Sequence, residues 1–288
     1  MTLTKSSLLH LRLPFSYFLV PIFLLALFSV ETVSIVNSVI VFFVLHFLVY
    51  TASNGFNTYY DRDEGSIGTL RTPPQVTPDL LWLTLLLDAI AVLIAFTVSW
   101  QFALGCFIYG MASKVYSIPS IRIKKYPWLG WIYTGAGQGT FTFLMVAQAV
   151  SGCELSVLIT TKIMLPALAA GLFVLGMFPI TQVYQHEEDR KRGDTTISLL
   201  LGVKYTFVIA AVFMTLSISI YFYFFWKYYN IQSALLFTVI NLPAALYTGL
   251  WFGKVLTGSV KADYSHTMRV CTIASTGIVI FALVECIL

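Results

Sequence analysis

The chain has little charge. Asp, Glu, Lys and Arg make up 10% of its 288 residues, whereas 58% are hydrophobic. A soluble domain carries about 25% charged residues, so a soluble globular protein is excluded. No long polar stretch divides the chain, which predicts a single domain over residues 1–288. The four Cys are far apart and form no C-x-x-C pair, so neither a zinc site nor a disulfide framework is expected.

Long apolar runs fill most of the sequence. Because a membrane-spanning helix needs about 20 mostly apolar residues, these runs predict an all-α membrane protein. The nine predicted transmembrane helices are 13–31, 35–57, 79–99, 102–117, 129–150, 163–184, 203–225, 231–252 and 268–288.

Basic residues gather on one side of this topology. All of the 17 Lys and Arg residues except Lys162 and Lys227 fall in the N-terminus or in every second loop. Since positive charge is retained in the cytoplasm, we expect the N-terminus and these loops to be cytoplasmic. The C-terminus is then expected on the opposite side.

A short polar pattern occurs twice, near the ends of predicted helices 2 and 6. Residues 54–65 read N-G-F-N-T-Y-Y-D-R-D-E-G, and residues 182–193 read Q-V-Y-Q-H-E-E-D-R-K-R-G. Each copy has two amides and an Asp at offsets that share one face of a helix. The pattern predicts two pseudo-repeated halves. Its amide and Asp positions are Asn54, Asn57 and Asp61, and Gln182, Gln185 and Asp189.

These side chains suit a divalent cation. Mg²⁺ binds through one or two carboxylates together with substrate phosphate oxygens and water. Polar residues also cap helices, but two copies with equal offsets on one membrane face favour a cation site. Because each copy has few carboxylates, we expect the metal to arrive with a phosphorylated substrate.

The loop at residues 114–130, K-V-Y-S-I-P-S-I-R-I-K-K-Y-P-W-L-G, could bind that phosphate. Ordinary cytoplasmic positive charge accounts for any single Lys in it. However, Pro119 and Pro127 restrict the backbone and predict a rigid loop that can position an anion. Arg71, in T-L-R-T-P-P, is a second candidate for contacting the phosphate.

Three features lie inside predicted helices. Asp88 is an intramembrane acid and therefore a functional candidate, although the sequence assigns it no role. His46 is expected to be buried and hydrogen-bonded. The run G-A-G-Q-G at 135–139 predicts close helix packing.

Together these residues resemble the UbiA superfamily of intramembrane prenyltransferases, over nearly the whole chain. Members have nine transmembrane helices and two Asp-rich motifs, N-x-x-x-D-x-x-x-D and D-x-x-x-D, the second followed by G-x-x-T-L-P and L-G. Here N-x-x-x-D-x-x-x-G begins at Asn57, and Q-x-x-x-D begins at Gln185, followed by G-D-T-T-I-S-L-L-L-G. The stretch Y-S-I-P-S-I-R-I-K at 116–124 is similar to the family's Y-S-x-P-P-x-R-x-K.

Two positions depart from the family pattern. Gly65 and Gln185 stand where Asp is usual. Asp63, Glu64 or Glu188 could compensate, and Glu64 shares the face of Asp61 if the helix continues. The first motif is also similar to that of naphthoate-type members, N-x-x-N-x-Y-x-D-x-x-x-G. Three consequences of these departures stay open: binding of fewer metal ions, use of an unusual substrate, or reduced activity.

The resemblance implies nine helices around a central cavity and Mg²⁺-dependent transfer of a polyprenyl group. The donor would be an allylic diphosphate, and the acceptor an aromatic or other lipophilic molecule within the bilayer. An aromatic acid, a naphthoate (as in quinone biosynthesis), a porphyrin and a glycerol-type lipid all stay open as acceptors. No nucleic-acid partner is expected.

The resemblance also assigns roles to residues. Asp61 and Asp189 would be catalytic and would hold the metal with Asn57, Gln185 and Glu64. The implied diphosphate-binding residues are Lys124, Arg71, Tyr116, Ser117 and Arg122. Possible accessory residues are Asn54, Gln182 and Glu188.

Two other functions stay open. The two missing carboxylates leave room for a non-catalytic relative that binds polyprenyl lipid. Repeats and membrane acids also occur in cation-coupled transporters, whose sites lie near the bilayer midplane at broken helices. The repeated acids of this chain lie at helix ends instead, which disfavours a transporter.

Overall fold

The protein is all-α in a computed structural model that describes residues 3–287; this range contains no β-strand. The α-helices, in chain order, are α1 Lys5–His10, α2 Val20–Leu27, α3 Ile35–Phe43, α4 Tyr50–Asp61, α5 Asp79–Ala95, α6 Trp100–Ser117, α7 Pro127–Thr134, α8 Thr142–Ser151, α9 Leu155–Leu158, α10 Thr161–Gln182, α11 His186–Arg192, α12 Ile197–Tyr228, α13 Ile231–Leu256 and α14 Tyr264–Glu285. Turns of 3₁₀ helix cover Leu13–Leu19 and Ile123–Lys125, and π-helical segments cover Val44–Val49 and Gly135–Phe141.

Six helical segments are long and apolar enough to cross a membrane: Lys5–Leu27, Ile35–Asp61, Thr161–Gln182, Ile197–Tyr228, Ile231–Leu256 and Tyr264–Glu285. The runs predicted at 79–99, 102–117 and 129–150 are also helical, as α5, α6 and the α7–α8 segment. The count of nine spans and the two repeated halves stay predictions. Residue 288, the last of the ninth predicted span, lies outside the described residues.

The helices close around a central space. Helix α10 packs against the π-helical segment Gly135–Phe141, and α14 packs against α2. These two contacts join the first part of the chain to the second at different places. Residues from both parts can therefore face the same interior cavity.

The glycine-rich run at 135–139 packs as predicted. A Cβ atom at Gly139 would lie 2.5 Å from the Cα atom of Gly171 in α10, closer than such atoms approach. Only glycine allows these two backbones to come together. The contact fixes α10 against the π-helical segment and so shapes one wall of the cavity.

The two polar residues singled out inside helices are also accounted for. His46 is buried, and its Nδ1 atom lies 3.1 Å from the backbone oxygen of Ser16, as predicted. Asp88 forms an ion pair with Lys114 of α6. Because an unpaired charge is costly in an apolar segment, this pair gives Asp88 a structural role that the sequence did not reveal.

Candidate active site at the ends of two helices

One cavity, of about 220 Å³, receives polar side chains from both copies of the repeated pattern. All six amide and Asp positions line it: Asn54, Asn57, Asp61, Gln182, Gln185 and Asp189. The two stretches are distant in sequence, yet their acids face a common space. The side chains of Asp61 and Asp189 are 4% and 6% exposed, so both carboxylates are withdrawn from solvent.

The first copy lies on one continuous helix, as its spacing predicts. Helix α4 carries Asn54, Asn57 and Asp61 and ends at Asp61, because Arg62 takes a left-handed backbone conformation with φ of 50°. Glu64 therefore leaves the face that it would share with Asp61 in a longer helix. It is exposed and does not line the cavity.

The second copy is broken between two helices, so the prediction of a single helical face is wrong there. Gln182 is the last residue of α10, whereas Asp189 lies on the separate helix α11. Gln185 stands at the start of α11 with φ of −100° and ψ of 2°. The turn between the helices still directs all three side chains into the cavity.

Basic side chains neutralise the acids. Lys124 contacts both carboxylate oxygens of Asp61, and the Nη2 atom of Arg122 donates to Asp61 at 3.1 Å. Arg122 also donates to both oxygens of Asp194, each at 2.7 Å. The loop that carries Arg122 and Lys124 is thereby attached to Asp61 in the first motif segment and to Asp194, directly after the second.

Arg192 joins the two motif segments directly. Its guanidinium contacts Asp63, which follows α4, and donates to Asp189 at 2.6 Å. Its Nε atom lies 3.3 Å from Asp194. One cation therefore bridges carboxylates that come from opposite sides of the cavity.

The two carboxyl groups of the second segment differ in acidity. Burial raises the pKa of Asp189 to about 7, against a hydrogen bond of 3.0 Å from Thr196. Burial acts in the same direction on Asp194, but the hydrogen bond from Arg122 and the charge of Lys124 leave its pKa below the usual value. Asp194 is thus the anion that anchors the basic groups, whereas burial makes the ionised form of Asp189 costly unless a cation lies beside it.

The predicted diphosphate-binding loop reaches the cavity in part. Tyr116, Ser117 and Lys124 line it. Ser117 and Lys124 both donate to the Oδ1 atom of Asn57, at 2.9 and 3.2 Å. Arg122 lies outside the lining and acts through its contacts with the acids.

Two further predicted residues lie elsewhere. Arg71 is exposed and outside the cavity lining, because the segment after α4 leads it away. Glu188 also lies outside the lining and pairs with Lys191 at 3.5 Å.

Sequence reasoning missed several lining residues, namely Arg12, Arg192, Asp194 and Thr196. Asp63, which the sequence offered as a substitute for a missing carboxylate, also lines the cavity. Arg192 lies within the second repeated segment but at a position that the two copies do not share, so the repeat gave no signal for it. Arg12, which donates to the backbone oxygen of Asn54 at 3.0 Å, lies far away in sequence.

Apolar side chains make up much of the remaining lining. Phe173, Val174, Met177 and Phe178 precede Gln182 along α10, and Phe18, Leu19 and Ile22 face the cavity from the N-terminal helices. The acids thus lie at one end of the space and hydrocarbon side chains lie along it. Such a cavity fits a molecule with a charged head and an apolar tail.

The donor set fits a metal that a substrate helps to bind. In residues 3–287 no three His, Cys, Asp or Glu side chains converge as a complete metal cluster. The repeated pattern supplies two carboxylates and four amides to the cavity, and Mg²⁺ usually completes such a set with phosphate oxygens and water.

Comparisons with known proteins agree with this geometry. The profile of the UbiA prenyltransferase family matches residues 18–264. No curated protein sequence matches the chain. A UbiA homologue from Archaeoglobus fulgidus bound to DMAPP and Mg²⁺ is similar in structure, with a TM-score of 0.70 and 18% identity over 97% of this chain and 98% of that one.

Two other solved structures are also similar. The apo structure of a UbiA homologue from Aeropyrum pernix K1 has a TM-score of 0.68 and 19% identity, over 93% of this chain and 97% of that one. A structure described for digeranylgeranylglyceryl phosphate synthase has a TM-score of 0.59 and 16% identity, over 96% and 98%. At these identities the likeness establishes the fold.

Proposed function

The chain belongs to the UbiA prenyltransferase family, and on that basis we propose that it transfers a polyprenyl group from an allylic diphosphate to a lipophilic acceptor. The observation that carries the proposal is the shared cavity of Asp61 and Asp189, with an apolar wall beside it. Structures of the Archaeoglobus fulgidus homologue bound to DMAPP or GPP with Mg²⁺ support it. The protein is an integral membrane protein, so the reaction would take place within the bilayer.

Asp61 and Asp189 would hold Mg²⁺, with the amide oxygens of Asn57 and Gln185 nearby. When bound, the metal would neutralise charge on the leaving diphosphate. Lys124, Tyr116 and Ser117 would bind and orient the diphosphate oxygens. Lys124 has to turn from Asp61 toward the diphosphate, which frees the Asp61 carboxylate.

The reaction itself is a substitution at the allylic carbon. The C–O bond breaks, and its electron pair leaves with the diphosphate. An electron-rich acceptor carbon supplies the pair for the new C–C bond, and its proton passes to a diphosphate oxygen. Phe173 and Phe178 would contact the prenyl chain and keep water from the reacting carbon.

We also propose that the cavity opens toward the cytoplasm and that the C-terminus lies on the opposite side. The skewed placement of Lys and Arg supports this orientation. Labelling of the exposed Cys286 with a membrane-impermeant maleimide from the outer side tests it.

A second candidate is binding of polyprenyl lipid without turnover. One observation favours it, namely that Asp61 and Asp189 are each paired with a basic side chain. Such pairs must open before either carboxylate can bind a metal.

Release of pyrophosphate from geranyl diphosphate distinguishes the two candidates. We expect Mg²⁺-dependent release by the wild-type protein and nearly complete loss in Asp61→Asn and Asp189→Asn. Glu187→Gln, at an exposed position of α11, is the matched control. Retained binding of the diphosphate without any release would favour the second candidate, and unchanged release in either Asp variant would reject the metal assignment.

A further inference from the structure

A second cavity, of about 370 Å³, adjoins the first between α4, α6 and the π-helical segment. We call it the side lobe. Its lining is Ser53, Ile108, Tyr109, Ala112, Ser113, Tyr116, Tyr133, Thr134, Ala136, Gly137, Gln138, Phe141 and Phe178. The two cavities have in common Ser53, Tyr109, Ser113, Tyr116, Gln138 and Phe178. A molecule in the side lobe would therefore lie next to one in the main cavity.

The side lobe differs from the main cavity in charge. None of its lining residues is an Asp, Glu, Lys, Arg or His, whereas the main cavity is lined by both acids and bases. Aromatic rings form much of the wall: Tyr109, Tyr116, Tyr133, Phe141 and Phe178. An ion in this lobe would lose its hydration without gaining a counter-charge, which is costly.

Three hydroxyl groups of the lobe are set to accept hydrogen bonds. Tyr133 donates to the backbone oxygen of Ala112 at 3.0 Å, and Thr134 donates to that of Gly130 at 2.8 Å. Ser113 likewise donates to Gly110 at 2.9 Å. Since these three hydroxyl hydrogens are already used, their oxygens are left to receive a hydrogen from a ligand. A hydroxyl group on the ligand matches these three oxygens, and the absence of any basic side chain in the lining disfavours a carboxylate.

We propose that the side lobe binds the acceptor, and that the acceptor is an uncharged, hydroxylated aromatic molecule. The proposal rests on the function given above, because it places the acceptor ring beside the donor's allylic carbon. It opposes the naphthoate-type likeness of the first motif, which predicts a carboxylated ring.

Gly137 provides the test. A Cβ atom at this residue would meet nothing within 4 Å, so Gly137→Phe fills the side lobe without a clash at the backbone. Gly249 in α13 is an exposed helical glycine that also has open space around it. Gly249→Phe therefore controls for the change in residue type.

The assay would use geranyl diphosphate with either 1,4-dihydroxynaphthalene or its 2-carboxylic acid. We expect Gly137→Phe to raise KM for the neutral acceptor by about tenfold or more, with pyrophosphate release in the absence of acceptor unchanged. Gly249→Phe should leave both unchanged. The wild-type protein should prefer the neutral acceptor, and this comparison needs no variant to fold.

Two results would overturn the proposal, provided that the wild-type protein still releases pyrophosphate. One is an equal KM for the acceptor in Gly137→Phe and Gly249→Phe, and the other is a preference of the wild-type protein for the carboxylated acceptor. Absence of release by the wild-type protein would instead reject the proposed function, and the assignment of the side lobe with it.

Discussion

The carboxylate of Glu188 lies beside the backbone of Gly65: its Oε1 atom is 3.5 Å from the position that a Cβ atom would take at residue 65. Residue 65 is where the family resemblance leads us to expect an Asp. Neither residue lines the main cavity. An acid at position 65 would therefore face an existing acid before it reached a metal.

This contact predicts the result of restoring the acid. Because two carboxylates would meet, Gly65→Asp should be less stable than Gly65→Asn by about 1 kcal/mol. The measurement is thermal unfolding of both variants in detergent. Adding Glu188→Gln should remove the difference between them. A lower Mg²⁺ requirement in the single variant Gly65→Asp, with Glu188 unchanged, would contradict this account.

Arg192 should stabilise the protein in the absence of substrate. It bridges Asp63 and Asp189, so Arg192→Gln leaves buried carboxylates without a cation and should cost about 3 kcal/mol. Arg190→Gln, an exposed change on the same helix, should cost at most about 0.5 kcal/mol. Thermal unfolding measures both, and equal melting temperatures for the two variants would show that the bridge contributes nothing.

Lys124 should act on donor binding. It lines the cavity, whereas the neighbouring Lys125 does not and instead lies over the ring of Tyr126. Lys124→Ala should raise KM for geranyl diphosphate by about tenfold, and Lys125→Ala should change it little. Steady-state kinetics on purified protein tests this, and an unaltered KM in Lys124→Ala would remove Lys124 from the diphosphate site.

Metal and diphosphate should bind together. Because no complete metal cluster is found among residues 3–287, Mg²⁺ alone should shift the melting temperature little. Mg²⁺ with pyrophosphate should raise it clearly, since a ligand that binds only the folded state stabilises it. EDTA should reverse the shift, and Asp189→Asn should abolish it. A large shift with Mg²⁺ alone would indicate a resident metal instead.

The first half of the site could be predicted because it depends on local geometry. Offsets along one helix bring Asn54, Asn57 and Asp61 to a single face, and α4 is continuous through all of them. The second copy has the same offsets, yet α10 ends at Gln182. Spacing alone does not tell a continuous helix from two helices joined by a turn.

The cations were harder to predict. Lys124 was identified through its loop motif, but Arg12 and Arg192 reach the cavity only because distant segments fold together. Ion pairs between residues that are distant in the chain produce no periodic pattern in a single sequence. Arg71 was a second candidate for contacting the phosphate, and the course of the chain after α4 leaves it exposed and away from the cavity.

The tight crossing of Gly139 and Gly171 bears on how substrates enter. The backbone at Gly139 meets the backbone of residues 170 and 171 directly, and the Thr140 side chain fills the space beside Gly171, so the helices have little room to slide. A mechanism in which one half of the protein rocks against the other would have to pull this contact apart. Loading and release should therefore come from loop and side-chain movements around a rigid frame.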